Sequence, residues 1–241
     1  MPAPKVQAID QPADQPATRL RDWTEQDADW LKRHHSFAAR ARQGNVDLLL
    51  IGDSLTDLWL SNYQSHYQQI FGRWKNANFA ISGDRTEHLL WRLRNGTLEG
   101  ITPKVVQLLI GTNNLPSIQG VYSAKEPEEV AAGISAILQT LRWAFPAARI
   151  LLLAIPPRED RLNAMPPALP EDLNPKIRVL NGLVEKMADG AHIRFASFHD
   201  DYLDRAGKIM PGMLHDRLHP DMKGYEVWAA AVRPILTEWL G

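Results

Sequence analysis

Four short blocks of residues carry groups that together could form and hydrolyse an acyl-serine. In chain order they are residues 52–55 (Gly-Asp-Ser-Leu), 82–84 (Ser-Gly-Asp), 111–114 (Gly-Thr-Asn-Asn) and 216–219 (Asp-Arg-Leu-His). They offer a hydroxyl nucleophile, backbone N–H groups, an amide donor, and an imidazole with a carboxylate to orient it. Acyl transfer through a serine requires these groups. Because short motifs also match by chance, the complete set is more informative than any one block.

The candidate catalytic residues are Ser54, Asp216 and His219. Ser54 follows a predicted buried strand at a strand-to-helix turn, where its hydroxyl and its own N–H would face the same space. Its alternative role is to cap the following helix. His219 could take the serine proton and return it to the leaving group. Asp216, three residues earlier, could reach the other ring nitrogen in a turn and fix the tautomer.

The candidate oxyanion-hole groups are the N–H of Ser54, the N–H of Gly83 and the side-chain amide of Asn113. Glycine lets the backbone approach a substrate closely, and an amide can donate to a developing oxyanion. Gly83 and Asn113 also fit ordinary turn positions. Asp53 is a candidate supporting residue, which would orient the nucleophile turn by hydrogen bonding.

A metal site is the competing interpretation of the last block. His215, Asp216 and His219 could be ligands, since two histidines four residues apart share one face of a helix. Pro220 argues against a helix through this stretch, and we therefore predict no metal and no other cofactor. Four histidines on predicted helices or their flanks are expected to be solvated: His34, His35, His66 and His88.

The composition indicates one globular domain. The chain has 241 residues, of which 44% are hydrophobic and 23% charged, with a net charge of −1 and no cysteine. This charge gives no support for nucleic acid as a partner, and no apolar run reaches the length of a membrane span. Residues 1–20 lack the apolar core of a signal peptide and predict a flexible lead-in to a single domain over residues 21–241. The compartment, cytoplasmic or exported, stays open.

Apolar runs alternate with helical periodicity along the chain. The predicted strands are residues 46–51, 77–81, 104–110, 149–155 and 193–198, and the predicted helices are residues 23–43, 84–95, 127–145, 176–188 and 221–240. This alternation predicts an α/β fold with a doubly wound parallel sheet, whose site lies beyond the carboxyl ends of the strands. Each of the first three blocks directly follows a predicted strand, at this edge of the sheet. Residues 156–175, rich in proline, are expected to form a long surface loop of the kind that serves as a lid or binding wall.

The pattern of blocks resembles the SGNH, or GDSL-type, hydrolase superfamily. Its four characteristic residues match Ser54, Gly83, Asn113 and His219, and Asp216 matches the acid of its Asp-x-x-His motif. Three stretches resemble more closely the catalytic subunits of intracellular platelet-activating-factor acetylhydrolase and their bacterial relatives. They are residues 78–86, 90–96 and 103–114.

This resemblance implies a flavodoxin-like three-layer α/β/α sandwich around a five-stranded parallel sheet. It also implies a metal-independent serine esterase that acts on short acyl groups, acetyl above all, in small-molecule esters. A homodimer is compatible with the resemblance. The alcohol part of the substrate stays open between a sugar acetate, a phospholipid acetate and a lysophospholipid. Transfer of the acyl group to another alcohol also stays open beside hydrolysis.

Overall fold

The computed structural model describes residues 10–21, 25–116, 122–159 and 172–241. Among these residues, strands and helices alternate around one sheet. The strands are β1 (Leu48–Gly52), β2 (Asn76–Asn78), β3 (Val105–Leu109), β4 (Arg149–Leu153) and β5 (Ile193–Ala196). The helices are α1 (Ala28–Ala41), α2 (Ser54–Asn62), α3 (Gln64–Phe71), α4 (Thr86–Arg92), α5 (Pro127–Ala144), α6 (Asn174–Glu185) and α7 (Met222–Leu240). An irregular turn with non-helical backbone at Asn95 and Gly96 covers Leu93–Thr97, and a 3₁₀ turn covers Asp200–Tyr202.

The five strands form one parallel sheet in the order β2-β1-β3-β4-β5. From β1 the chain moves outward to β2, then crosses back to β3 and continues in the opposite direction. The carboxyl ends of β1 and β3 therefore flank a topological switch point, where open α/β sheets hold their ligands. Every residue of β1 and β3 is buried, because both faces of the sheet are covered. The predicted parallel α/β architecture is confirmed.

Helices cover the sheet in two layers. An aromatic cluster joins α2, α3 and α7, in which Trp59 contacts Phe71, Tyr225 and Trp228. In the other layer α4 packs against α5, α5 packs against α6, and α1 packs against the turn Leu93–Thr97. Right-handed crossovers that run in opposite directions from β1 place their helices on opposite faces of the sheet. The result is the three-layer α/β/α arrangement that was expected.

Several element boundaries differ from the predictions by two residues or more, and three of them have a clear local cause. Helix α1 begins at Ala28 and not at residue 23, because Asp27 caps it by accepting the N–H of Trp30. Strand β2 ends at Asn78, whose side chain accepts the N–H of Ala80 and donates to the carbonyl of Thr56. The helix predicted over residues 84–95 begins at Thr86 and loses helical geometry at Asn95 and Gly96.

Residues 10–21 lie against the domain. The hydroxyl of Thr86 donates to the carbonyl of Ala13 at 2.9 Å, and the N–H of Ala17 donates to the carbonyl of Glu87 at 3.1 Å. Residues 1–9 of the predicted lead-in lie outside the described residues, as do residues 160–171 of the predicted loop. Within the described ranges, none of the helices combines the length and apolar character needed to cross a bilayer.

Candidate active site

Ser54 lies at the tight turn between β1 and α2. A side chain at Gly52 would place its Cβ 2.1 Å from the carbonyl oxygen of Leu109, so only glycine allows the strand end to approach β3 this closely. Asp53 caps α2, and its Oδ1 accepts the N–H of Leu55 at 2.9 Å. As the first residue of α2, Ser54 has an N–H without an intrahelical acceptor. The turn therefore presents a hydroxyl and a backbone donor together.

Ser54, His219 and Asp216 form a continuous hydrogen-bonded chain. His219 Nε2 lies 2.8 Å from Ser54 Oγ, and His219 Nδ1 lies 2.5 Å from Asp216 Oδ2, although the serine and the histidine are 165 residues apart in sequence. Such a chain is the arrangement in which an imidazole can accept a serine proton while a carboxylate holds its tautomer.

Asp216 also shapes the loop that carries His219. Its Oδ1 accepts the backbone N–H groups of His219 at 2.7 Å and of Leu218 at 3.1 Å. Partial burial raises the pKa of this carboxyl, but the hydrogen bonds from the His219 ring and from the two N–H groups outweigh burial and lower the pKa overall. Asp216 is consequently ionised wherever an imidazole titrates. Residues 215–219 are not helical, as expected from Pro220.

Gly83 lies in a turn held beside the nucleophile. The N–H of Asp84 donates to the carbonyl of Ile81 at 3.1 Å, and Gly83 has φ +82°, which is the third position of a type II turn. The N–H of Ile81 donates to the carbonyl of Gly52 at 3.2 Å, which ties this turn to the end of β1.

Asn113, after β3, reaches the same turn. Its Nδ2 donates to the carbonyl of Asp84 at 3.0 Å. An amide nitrogen carries two hydrogens, and within the described part of the chain no second acceptor is bonded to it, so one hydrogen has no protein acceptor there. The structure thus brings the turns of Ser54, Gly83 and Asn113 to one edge of the sheet.

Two buried charged groups support this edge. For Asp57 the sequence left a site role and a helix-start charge open, and Arg85 was not singled out. Asp57 Oδ2 accepts both the N–H of Ser82 at 3.0 Å and its hydroxyl at 2.7 Å. Arg85 donates to the carbonyl of Asn113 at 3.0 Å and pairs with Glu87 at 2.6 Å, with both side chains almost fully buried. The available signal for Arg85 was its position directly after the Ser-Gly-Asp block.

Asp53 combines hydrogen bonding with full burial. Burial raises its pKa to about 7, the N–H of Leu55 opposes this shift, and the negative charge of Asp84 adds to it. Its second oxygen, Oδ2, has no hydrogen-bond partner among the described residues. The carboxyl next to Ser54 therefore gains a proton more readily than an exposed aspartate.

His215 completes a group that could hold a cation. Its Nε2 lies 3.6 Å from Asp216 Oδ2, and one ligand atom from each of His215, Asp216 and His219 fits within 4.8 Å. These donors suit Zn²⁺. A metal on His219 Nδ1 would replace the proton that bonds Asp216, so the metal and triad interpretations exclude each other on this ring.

The prediction of solvated helical histidines is wrong for His34 and His88. His34 lies 3.1 Å from the hydroxyl of Thr97 and stacks on Trp30, and His88 accepts the N–H of Arg85. Burial lowers the pKa of His34 to about 4 and that of His88 well below its usual range. Both rings are neutral packing groups where α1 meets α4.

Comparison with known proteins agrees with this geometry. The model of the GDSL-like lipase/acylhydrolase family matches residues 50–227. The chain belongs to this family. The chain is 32% identical over 230 residues to platelet-activating factor acetylhydrolase IB subunit alpha1 of Rattus norvegicus. This alignment covers 95% of the chain and 90% of the rat protein. The chain is also 32% identical over 196 residues to the alpha2 subunit of the same species, over 81% of the chain and 78% of that protein.

The fold of the GDSL hydrolase is shared with solved structures. A GDSL-like lipase from Bacteroides thetaiotaomicron superposes with a TM-score of 0.69 at 18% identity, over 88% of the chain and 99% of that protein. The family match includes all four blocks, from the end of β1 into α7. Its family membership makes this protein a carboxylic ester hydrolase.

Proposed function

We propose that this GDSL hydrolase is a serine esterase that removes short acyl groups, acetyl above all, from small ester substrates. The observation that carries the proposal is the hydrogen-bonded chain from Ser54 Oγ through His219 to Asp216, at 2.8 and 2.5 Å. A serine, a histidine and a carboxylate in this order can form and hydrolyse an acyl-enzyme.

The proposed reaction has two halves. His219 Nε2 takes the proton of Ser54 as Oγ attacks the ester carbonyl, and Asp216 stabilises the imidazolium that forms. The N–H groups of Ser54 and Gly83 and the amide of Asn113 donate to the oxyanion. The C–O bond to the alcohol breaks, and His219 returns its proton to the departing oxygen. Water then attacks the acyl-enzyme with the same histidine as base, which releases the acid and restores Ser54.

Acetyl is the acyl group that the curated relatives support. Both rat proteins are named as acetylhydrolases of platelet-activating factor, and the chain matches one of them over 95% of its length. The alcohol part of the ester is proposed to be a sugar or a glycerolipid. The same site could also pass the acyl group from Ser54 to a second alcohol in place of water.

A metal-dependent hydrolase is the second candidate, because His215, Asp216 and His219 could bind a cation. In that case these three side chains would hold the cation, which would supply activation of water, and Ser54 would be dispensable. The two candidates make opposite predictions for chelation and for loss of the serine hydroxyl.

The test is hydrolysis of p-nitrophenyl esters from acetate to decanoate by the wild type, Ser54→Ala and Ser61→Ala, each with and without EDTA. Ser61 lies exposed on the same helix and is the matched control. We expect acetate to turn over fastest, Ser54→Ala to lose on the order of 10⁴-fold or more in kcat, and EDTA and Ser61→Ala to change nothing. Turnover that survives Ser54→Ala, or that EDTA abolishes and Zn²⁺ restores, would reject the serine mechanism.

A further inference from the structure

Arg19, from the segment before α1, contacts the peptide that carries the N–H of Gly83. Its NH1 donates to the carbonyl of Ser82 at 2.5 Å, and its Nε pairs with the carboxylate of Asp27 at 3.2 Å. A Cβ built on Gly83 would lie 3.0 Å from the guanidinium, so the arginine packs directly on this glycine. Residues 10–21 therefore reach the candidate oxyanion hole.

The position of that hydrogen bond determines where the Gly83 N–H points. The carbonyl of Ser82 and the N–H of Gly83 belong to one planar trans peptide and point in opposite directions. Type I and type II turns differ mainly by a flip of this central peptide. In the flipped turn the Gly83 N–H would point toward Arg19, and the carbonyl oxygen of Ser82 would take its place in the oxyanion hole.

A second charged group holds the preceding peptide. Asp57 on α2 accepts the N–H and the hydroxyl of Ser82, so Ser82 lies between a carboxylate and a guanidinium. Hydrogen bonds to charged groups are stronger than neutral ones, and a donor on a peptide carbonyl polarises the N–H of the same peptide. Arg19 thus fixes the direction of the Gly83 N–H and also makes this N–H a stronger hydrogen-bond donor.

We propose that Arg19 is a positioning residue for the oxyanion hole, which holds the Ser82–Gly83 peptide in the orientation that directs the Gly83 N–H at the substrate. This inference rests on the proposed serine esterase function. Arg19 acts through the peptide and touches no reacting atom. Its removal should therefore impair stabilisation of the oxyanion more than binding of the ester.

The test compares Arg19→Met and Arg19→Lys with Arg21→Met, a change at an exposed arginine of the same segment. Two rates are measured with full-length protein: turnover of p-nitrophenyl acetate, and phosphorylation of Ser54 by diethyl p-nitrophenyl phosphate, whose phosphoryl oxygen occupies the oxyanion position. For Arg19→Met we expect kcat and the phosphorylation rate to fall together by about 10- to 100-fold, with KM nearly unchanged. Arg19→Lys should lie between Arg19→Met and the wild type, and Arg21→Met should equal the wild type.

A second readout separates positioning from general loosening of the fold. In the phosphorylated wild type the amide proton of Gly83 should move downfield in the NMR spectrum, and this shift should be smaller in Arg19→Met or, if that variant does not fold, in Arg19→Lys. Unchanged kcat and an unchanged Gly83 shift would overturn the positioning role alone, provided Ser54→Ala is inactive. A rise in KM with kcat intact would also overturn it, and turnover that survives Ser54→Ala would overturn the proposed function and this inference together.

Discussion

At the residue scale, Asp53 shows how burial at the nucleophile turn couples stability to pH. Burial raises the pKa of its carboxyl from 3.8 to about 7, against the opposing hydrogen bond from the N–H of Leu55. Between these pH values the folded protein holds a proton that the unfolded chain has released. Stability therefore falls as the pH rises from about 4 to about 7, and the loss remains constant above that window.

We predict that Asp53→Asn removes this pH dependence. Asparagine keeps an oxygen for the N–H of Leu55 but does not titrate. At about 1.4 kcal/mol per pKa unit, the unfolding free energy of the wild type should fall relative to that of the variant by at most about 4 kcal/mol over the window. Urea unfolding from about pH 4 to about pH 8 measures this difference. Asp29→Asn, at an exposed position of α1, is the control. If the unfolding free energies of Asp53→Asn and the wild type changed with pH in parallel, the prediction would be wrong.

At the element scale, a buried ion pair joins α4 to the ends of the strands. Arg85 pairs with Glu87 and donates to the carbonyls of Asn113 and Ser123, while Glu87 also accepts the amide of Asn114. Both charges are removed from water but are fully engaged with partners. Breaking such a pair leaves an uncompensated buried charge, which is why one-sided changes cost more than the pair itself contributes.

We predict that Glu87→Gln lowers the free energy of unfolding by about 3–5 kcal/mol. The matched control is Glu238→Gln, which breaks the pair of Arg194 and Glu238 at the same distance of 2.6 Å but on the surface. An exposed pair contributes less than about 1 kcal/mol. Urea unfolding of both variants measures the contrast, and equal losses would show that the Arg85–Glu87 pair is not effectively buried.

At the scale of the whole molecule, the described residues share one core. Buried side chains from all five strands and from both helix layers form a single hydrophobic cluster. Trp59 and Trp228 lie in the layer of α2 and α7, and Trp30 lies in α1 in the other layer. Tryptophan fluorescence therefore reports on both sides of the sheet.

We predict that the chain unfolds as one cooperative unit, as expected for the single domain predicted over residues 21–241. Urea transitions followed by far-UV circular dichroism and by tryptophan fluorescence should coincide within error. In Trp30→Phe the fluorescence comes from the remaining tryptophans, which include those of α2 and α7. The urea midpoints from circular dichroism and from fluorescence should still agree in this variant. Transitions that separate would indicate that the two layers unfold independently.

The sequence alone determined the fold class, the order of the four blocks and the family resemblance. These follow from local properties: apolar runs and helical periodicity report which segments are strands and helices, and alternation leaves few topologies. It also predicted Ser54, His219 and Asp216 as a set, because an ester hydrolase of this kind needs those three chemical groups.

Only the tertiary structure decided which distant groups support that set. Arg19 and Ser82 are 63 residues apart, Asp57 and Ser82 are 25 apart, and neither pairing belongs to any periodic pattern. The burial of His34 and His88 likewise depends on how α1 packs against α4. A local pattern specifies which face of a helix is apolar, but contacts between segments remote in sequence form only when the sheet brings them together, so they could not be predicted from spacing.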